Sequence, residues 1–528
     1  MKTQALLVLF SLTGLFGQVP HLQKQGSATQ LIVDGKPFVM LAGELHNSSA
    51  SSLEYMKPIW GRLAALNLNT VLATVSWELL EPEEGKFEFN LVDGLIQQAR
   101  QHQLRLVFLW FGSWKNGVST YPPVWVKTNL ERFPRAQNKE GANLDVLSPL
   151  SEAAWEADAR AFAALMRHLR EVDGREHTVV MMQVENEVGL LGDSRDRSPL
   201  AEAAWAKPVP QELMEYLRKN KASLLPELTQ VWGAAGFRTS GSWAEVFGQG
   251  PQADEVFMAW HYGRYIGSIV TAGKKEYPLP MYVNAWLVQN EGQLPGRYPS
   301  GGPVSKMLDV WRAAAPQIDL LAPDIYLPDF RGVCASYARS GNPLFIPEAA
   351  RGPQSAANVF YAIGQHDALG FAPFGIDGIQ GEHPLAASYK LLAELMPVIV
   401  KYQGTGKMAG VLEVKEESQA LELGDYRLRV SFRAGRRPQS PDAKGYGLII
   451  ATGPDEYLAA GSGFSISFSP NSPGPPIARI AFIDEGRFID GKWIAKRRMN
   501  GDENGGGARL QLPGNTLSMQ RIKLYRHR

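Results

Sequence analysis

Val179-Val180-Met181-Met182-Gln183-Val184-Glu185-Asn186-Glu187-Val188-Gly189 is an apolar run that ends in two carboxylates and a glycine. A strand apolar on both faces belongs in a parallel sheet covered on both sides, as in α/β proteins. Carboxylates at its end cannot be buried in a sheet wall without a partner, so they sit where the sheet opens. Working outward, short β-branched or aromatic runs recur at Phe38–Gly43, Thr70–Trp77, Arg105–Phe111 and Thr178–Val184. They continue at Met281–Ala285, Ile318–Tyr326, Pro343–Pro347 and Gly370–Ile376. Between them lie stretches such as Leu91–Gln103 and Glu152–Glu171, whose apolar residues return every three to four positions, the helical period. Eight strands alternating with helices predict an α/β protein with a (β/α)8 barrel, the TIM-barrel class, over about residues 26–400. The gap between the fourth and fifth strands holds extra helices and a Trp-rich stretch from Trp232 to Trp260.

Beyond residue 400 the period changes. Tyr426–Phe432, Tyr446–Ile450, Phe464–Phe468 and Thr516–Tyr525 are β-rich and separated by Gly, Pro and Asn clusters such as Asn471–Pro476 and Gly501–Gly507. They predict a C-terminal all-β, sandwich-like domain over 401–528. From residue 396 on there are 20 Lys and Arg against 13 Asp and Glu, read as a solvated surface. Over the whole chain Lys and Arg number 54 and Asp and Glu 53, so no global charge points to nucleic acid or acidic lipid. The one cysteine, Cys334, excludes an intramolecular disulfide and a Cys-rich metal site. At the N-terminus Lys2 precedes an apolar run from Ala5 to Phe16, too short to span a bilayer. That layout predicts a signal peptide within residues 1–25 and an exported protein, periplasmic or secreted, with no membrane span.

In a parallel barrel the chemistry lies at the C-terminal ends of the strands. The fourth strand delivers Glu185 and Glu187 there, and the seventh delivers Glu348 in Phe345-Ile346-Pro347-Glu348-Ala349-Ala350-Arg351. Each alone reads equally well as a structural carboxylate, Glu348 paired with Arg351 for instance. Two carboxylates facing each other across a barrel mouth are the equipment for glycoside hydrolysis. One gives its proton to the departing oxygen and the other, ionised, attacks the anomeric carbon.

Three motifs carry a family resemblance. Ala42-Gly43-Glu44-Leu45-His46-Asn47, then Asn69-Thr70-Val71 with Trp77-Glu78 and Glu81-Pro82-Glu83-Glu84-Gly85-Lys86-Phe87, then Gln183 to Gly189, stand in order at strands one, two and four. They resemble the corresponding motifs of glycoside hydrolase family 35 β-galactosidases, over about residues 30–400. The resemblance implies a retaining mechanism without a cofactor or metal, with Glu187 as acid/base and Glu348 as nucleophile. It further implies that Asn186 holds the sugar 2-hydroxyl and that Tyr326 hydrogen-bonds the nucleophile. This chain has Trp77-Glu78 where the family has Trp-Asn, and Pro347-Glu348-Ala349 where it has Ser-Glu-Phe or Ser-Glu-Tyr. In these features it looks like a divergent bacterial branch associated with plant cell-wall galactosides, including xyloglucan side chains.

The substrate-binding candidates are Asn186, Tyr326, Glu185, Trp114, Asn47 and Trp77. Trp114 could stack on a sugar face, and Lys115 or Asn116 could reach hydroxyls; loop packing reads equally well. Trp243, Trp260 and Tyr262 read as core by their helical spacing, whereas Asp377, Glu382 and His383, which follow strand eight, could read axial or primary sugar hydroxyls or serve as loop hydrogen-bonding groups. His46 reads as a satisfied strand-end histidine. No H-E-x-x-H, G-x-S-x-G or nucleotide-binding glycine loop occurs, so those chemistries have no anchor. The expected activity is release of terminal β-galactose from plant cell-wall oligosaccharides such as xyloglucan fragments. Another activity of the same clan, an α-L-arabinofuranosidase or a β-glycanase, stands beside it, as does a carbohydrate-binding protein without turnover. The sequence leaves the oligomeric state open, a homodimer included.

Overall fold

The computed structural model describes residues 18–339, 341–415, 418–432, 444–514 and 516–528. Eight parallel strands close into a barrel: Met40–Glu44, Thr70–Ser76, Arg105–Lys115, Val179–Asn186, Met281–Trp286, Leu320–Ile325, Ile346–Ala349 and Gly370–Pro373. The eighth pairs with the first through Gly370 opposite Met40 and Phe371 opposite Leu41, which closes the ring. These are the eight runs expected, and the third carries the main difference. It continues four residues past Phe111 to Lys115, carrying Ser113, Trp114 and Lys115 into the wall.

The barrel interior is packed with side chains such as Leu72, Leu109, Val180, Tyr282, Phe345 and Leu369. Its lower end is plugged by a three-stranded antiparallel sheet, His21–Gln25, Ala28–Val33 and Lys36–Phe38, which adds Leu31 and Val33 to that core. Residues 18–25, assigned in part to the signal peptide, are therefore part of the fold, whereas the apolar run Ala5 to Phe16 lies outside the described residues. The sheet is tied to the end of the barrel by Ser27 N–H donating to Gly404 O (3.0 Å) and by Gln30 Nε2 donating to Val400 O (2.8 Å).

Helices cover the outside. Glu152–Asp173 starts at Ser151, whose hydroxyl accepts the Ala154 N–H, and it buries Ala154, Ala157, Ala161, Phe162, Leu165 and Leu169 on one stripe. The insertion between strands four and five contains five helices, the last being the long Pro251–Glu276, and Trp232, Trp243 and Trp260 are buried among them.

After the helix Pro384–Tyr402, a six-stranded and a four-stranded antiparallel sheet share one core, with Ile449, Ala459 and Ile522 from one facing Leu428, Val430 and Ile466 from the other. Six strands here are additional to those read from the sequence: Met408–Leu412, Ser418–Leu423, Glu456–Ser462, Ile477–Ile489, Lys492–Met499 and Leu510–Leu512. The sandwich leans on the helix Ser355–His366, where a Cβ on Gly364 would come within 2.9 Å of the Gly410 Cα; glycine at both positions permits that approach. No helix among the described residues is long and apolar enough to cross a membrane.

Candidate active site

The strand register places the chemistry. Asp324 lies opposite Glu348 on the neighbouring strand, and Lys115 opposite Asn186. Glu185 and Glu187 both have positive φ, 64° and 45°, so the chain turns sharply on either side of Asn186 and sends successive side chains in different directions. The Glu187 N–H donates to Asn284 Oδ1 (3.0 Å), fixing the second of those turns. Asn284 also donates through Nδ2 to Asp324 Oδ2 (2.7 Å) and, more loosely, to Asn186 Oδ1 (3.2 Å).

One carboxylate oxygen from each of Glu187, Asp324 and Glu348 lies within 4.8 Å of the others. All three side chains are buried. Burial and the neighbouring Glu348 raise the Glu187 carboxyl from its ordinary value to about 7, with Lys115 opposing. Glu348 is raised by burial but drawn back down by Lys115 and by the Tyr326 hydroxyl, which donates to its Oε1. Its other oxygen, Oε2, has no hydrogen-bond partner. Asp324 is raised well above the usual carboxylate range by burial, then by Glu348, Glu187 and Glu44. The mouth thus contains a Glu187 carboxyl set to be protonated near neutrality beside a Glu348 whose rise from burial is opposed by Lys115 and Tyr326, so the two carboxyls sit in unequal surroundings. The same three oxygens are close enough to share a divalent cation, which would occupy Glu187 and Glu348 together.

The structure brings Glu187, Glu348, Asn186 and Tyr326 together. Asn186 Oδ1 accepts from Gln183 Nε2 (2.9 Å) as well as from Asn284, which leaves the amide Nδ2 end with only a long contact to Asn116 (3.4 Å). That end is free to donate to a ligand hydroxyl. Tyr326 is half exposed at the rim, and Asn47, three residues beyond the first strand's Glu44, has an unpartnered Oδ1.

Three candidates lie elsewhere. Glu185 is fully buried against the Glu152–Asp173 helix; its carboxylate accepts the Ser113 and Trp114 N–H groups (2.9 and 2.7 Å) and neighbours Asp158. It braces the end of the third strand. Trp114 is inaccessible: its ring packs on Tyr262 and Tyr265 and its Nε1 donates to Leu147 O (3.1 Å). The longer third strand accounts for this, since Trp114 belongs to the wall and not to a loop. Trp77 is also fully buried, edge-on to Trp125, with Nε1 donating to Glu81 (2.8 Å). Of the loop residues, Asp377 accepts from the His46 N–H and from Ser49 Oγ, His46 sits 3.0 Å from it, and His383 caps the helix that follows it.

Two groups escaped the sequence reading altogether. Glu44, ending strand one, and Asp324, two positions before Tyr326, both enter the mouth. Each ends a buried apolar run, the same signal that marked Glu187.

Comparison with known proteins adds a second line. Residues 56–248, which include strands two to four and Glu187, match the family model described as β-galactosidase, numbered glycoside hydrolase family 42. The motif resemblance was to family 35; both are β-galactosidase families. Residues 385–511 match a domain of unknown function. A curated β-galactosidase of Xanthomonas manihotis is 30% identical over 186 residues, 33% of this chain and 27% of that protein. β-Galactosidase 8 of Oryza sativa subsp. japonica is 28% identical over 168 residues, 31% of this chain and 23% of that protein. The matched stretch spans about a quarter of the length of these relatives. Among solved structures, the β-galactosidase of the Antarctic haloarchaeon Halorubrum lacusprofundi aligns with a TM-score of 0.45 at 17% identity, covering 67% of this chain and 58% of that one.

Proposed function

We propose that this chain is a retaining glycoside hydrolase that releases terminal β-galactose. The observation that carries the reading is the approach of the Glu187 and Glu348 carboxyl oxygens to within 4.8 Å at the ends of strands four and seven. A retaining pair stands about 5–5.5 Å apart, whereas an inverting pair stands about 6.5–9.5 Å apart to admit a water. The β-galactosidase family match over the acid-bearing strand supports the same reading.

In the first step Glu187 gives its proton to the glycosidic oxygen as the bond to the anomeric carbon breaks. Glu348, steadied through Oε1 by Tyr326, uses its unpartnered Oε2 to form a bond to that carbon. In the second step Glu187, now ionised, takes a proton from water; the water oxygen bonds to the anomeric carbon and Glu348 leaves. The Asn186 amide is placed to hold the hydroxyl next to the reacting carbon. Galactosylated plant cell-wall oligosaccharides, xyloglucan fragments among them, are the substrates to which the motif resemblance points. Export, with cleavage ahead of strand His21–Gln25 so that the barrel plug stays whole, completes the proposal.

The test is galactose release from xyloglucan oligosaccharides beside 4-nitrophenyl β-galactoside, for wild type and Glu348→Gln. Release by wild type alone is expected. Turnover of arabinosides or shortening of glucans in place of galactose release would overturn the sugar assignment, and sugar binding without any turnover would overturn the enzyme assignment.

A further inference from the structure

Glu44 and Lys115 have no place in the two-step reaction, yet both are buried at the mouth. Glu44, at the end of strand one, is 1% exposed and its Oε1 has no hydrogen-bond partner. Lys115, at the end of strand three, is 6% exposed; its ammonium lies 5.1 Å from the centroid of the Phe111 ring and within Coulombic reach of Glu44, Glu187 and Glu348. No ion pair at contact distance joins Lys115 to any of the four mouth carboxylates among the described residues. A buried carboxyl oxygen without a hydrogen bond is costly, and such a group persists where a ligand supplies the missing partner.

Three further buried polar atoms have no partner: Ser76 Oγ at the end of strand two, Asn47 Oδ1 beyond strand one, and Tyr282 O–H, which lies in the field of Glu44 first, then Asp324 and Glu348. The electrostatic neighbours of Glu44 are Glu348, Lys115 and Glu187, so its carboxyl shares the space of the reacting groups. Glu44 supplies an acceptor and Lys115 a cationic donor at the ends of strands one and three, the complementary pair that hydroxyls on adjacent ring carbons require.

We infer that Glu44 and Lys115 form a specificity clamp for two neighbouring hydroxyls of the terminal sugar, Glu44 accepting from one and Lys115 donating to the other. The inference rests on the glycosidase reading above and names the site's sugar-selecting side chains. It makes the substrate's end residue a neutral sugar seated against strands one and three.

The experiment compares wild type with Glu44→Leu and Lys115→Met. Values of kcat/KM are measured on 4-nitrophenyl β-galactoside and on its four mono-deoxy derivatives, with melting temperatures alongside. Each variant is expected to lose at least 100-fold on the parent galactoside and at least tenfold less on one deoxy substrate, because the lost contact is then already absent. The melting temperature of Glu44→Leu is expected to equal or exceed that of wild type, which a structural carboxylate would not allow. Variants within threefold of wild type, an equal loss on every deoxy substrate, or a melting temperature lowered by several degrees would each overturn the clamp while leaving the glycosidase intact. If wild type turns over no aryl glycoside, the glycosidase reading fails separately. Calorimetric titration with free galactose then decides the clamp: binding lost in both variants upholds it, whereas no binding to wild type, or unchanged binding, overturns it.

Discussion

The Glu187 N–H donates to the side-chain oxygen of Asn284 at 3.0 Å, so the residue proposed as the proton donor is held by its backbone from the adjoining strand. The same amide grips Asp324 through its nitrogen. Removing it frees the left-handed turn at Glu187 and leaves a buried N–H unpaired. Asn284→Ala is expected to cost about 1–3 kcal/mol in chemical denaturation and on the order of 100-fold in kcat, through misplacement of the acid. Full activity in a folded Asn284→Ala protein would show that Glu187 does not need this tether.

The two glutamates are separable by azide. Glu348→Gly has lost the nucleophile, and azide entering its space yields the glycosyl azide of inverted configuration. Glu187→Ala keeps the covalent step and yields the azide of retained configuration, with the rate down by about 10²- to 10⁴-fold on substrates with poor leaving groups. Product stereochemistry by NMR checks both, and exchange of the two outcomes would reverse the assignments.

The acid requires its proton. With Glu187 raised to about 7, kcat/KM is expected to hold below that pH and to fall as pH rises through it. Folding stability follows the same sign. The folded carboxyl binds its proton more tightly than the unfolded one, so its contribution is present below about pH 4.5 and is lost as pH rises through about 7. Glu187→Gln should therefore gain melting temperature over wild type at pH 8 and show little difference at pH 4. A pH–rate profile whose alkaline limb does not move or vanish in this variant would assign that limb to another group.

Trp114 is a test of burial against binding. Trp114→Ala is expected to destabilise the protein by about 3–5 kcal/mol, and the milder Trp114→Phe to lower the melting temperature with KM unchanged. A KM effect at wild-type stability would return Trp114 to the substrate.

Truncation reads the plug. Removing residues 1–17 leaves all three plug strands, whereas removing 1–25 deletes strand His21–Gln25 and uncovers Leu31 and Val33. The first truncation is expected to melt with the full chain and the second several degrees lower; equal melting would make the strand dispensable.

The barrel was legible because its strands are buried on both faces, and a continuous apolar run such as Val179–Val184 needs no partner to be recognised. Glu187 and Glu348 were legible for the same reason: a carboxylate ending such a run has nowhere else to go. Strand Lys492–Met499 was not legible, since it lies at the edge of its sheet with Lys492, Lys496, Arg497 and Arg498 exposed, and its composition reads as loop. Trp114 and Glu185 were misplaced by one cause. The third strand runs on to Lys115, and the Glu185 carboxylate that sustains this extension by taking two of its N–H groups is itself spent in doing so.

The bonds from Ser27 and Gln30 to Gly404 and Val400, with strand one paired to strand eight, also set an order of events during synthesis. Strand Met40–Glu44 leaves the ribosome some 330 residues before Gly370–Pro373, roughly a quarter of a minute to a minute at ordinary translation speed. Through that interval the first strand lacks its neighbour from strand eight, so the nascent ring stays open. A ring whose first strand waits for its last cannot shut until the barrel is nearly complete, whatever contacts form earlier along the chain.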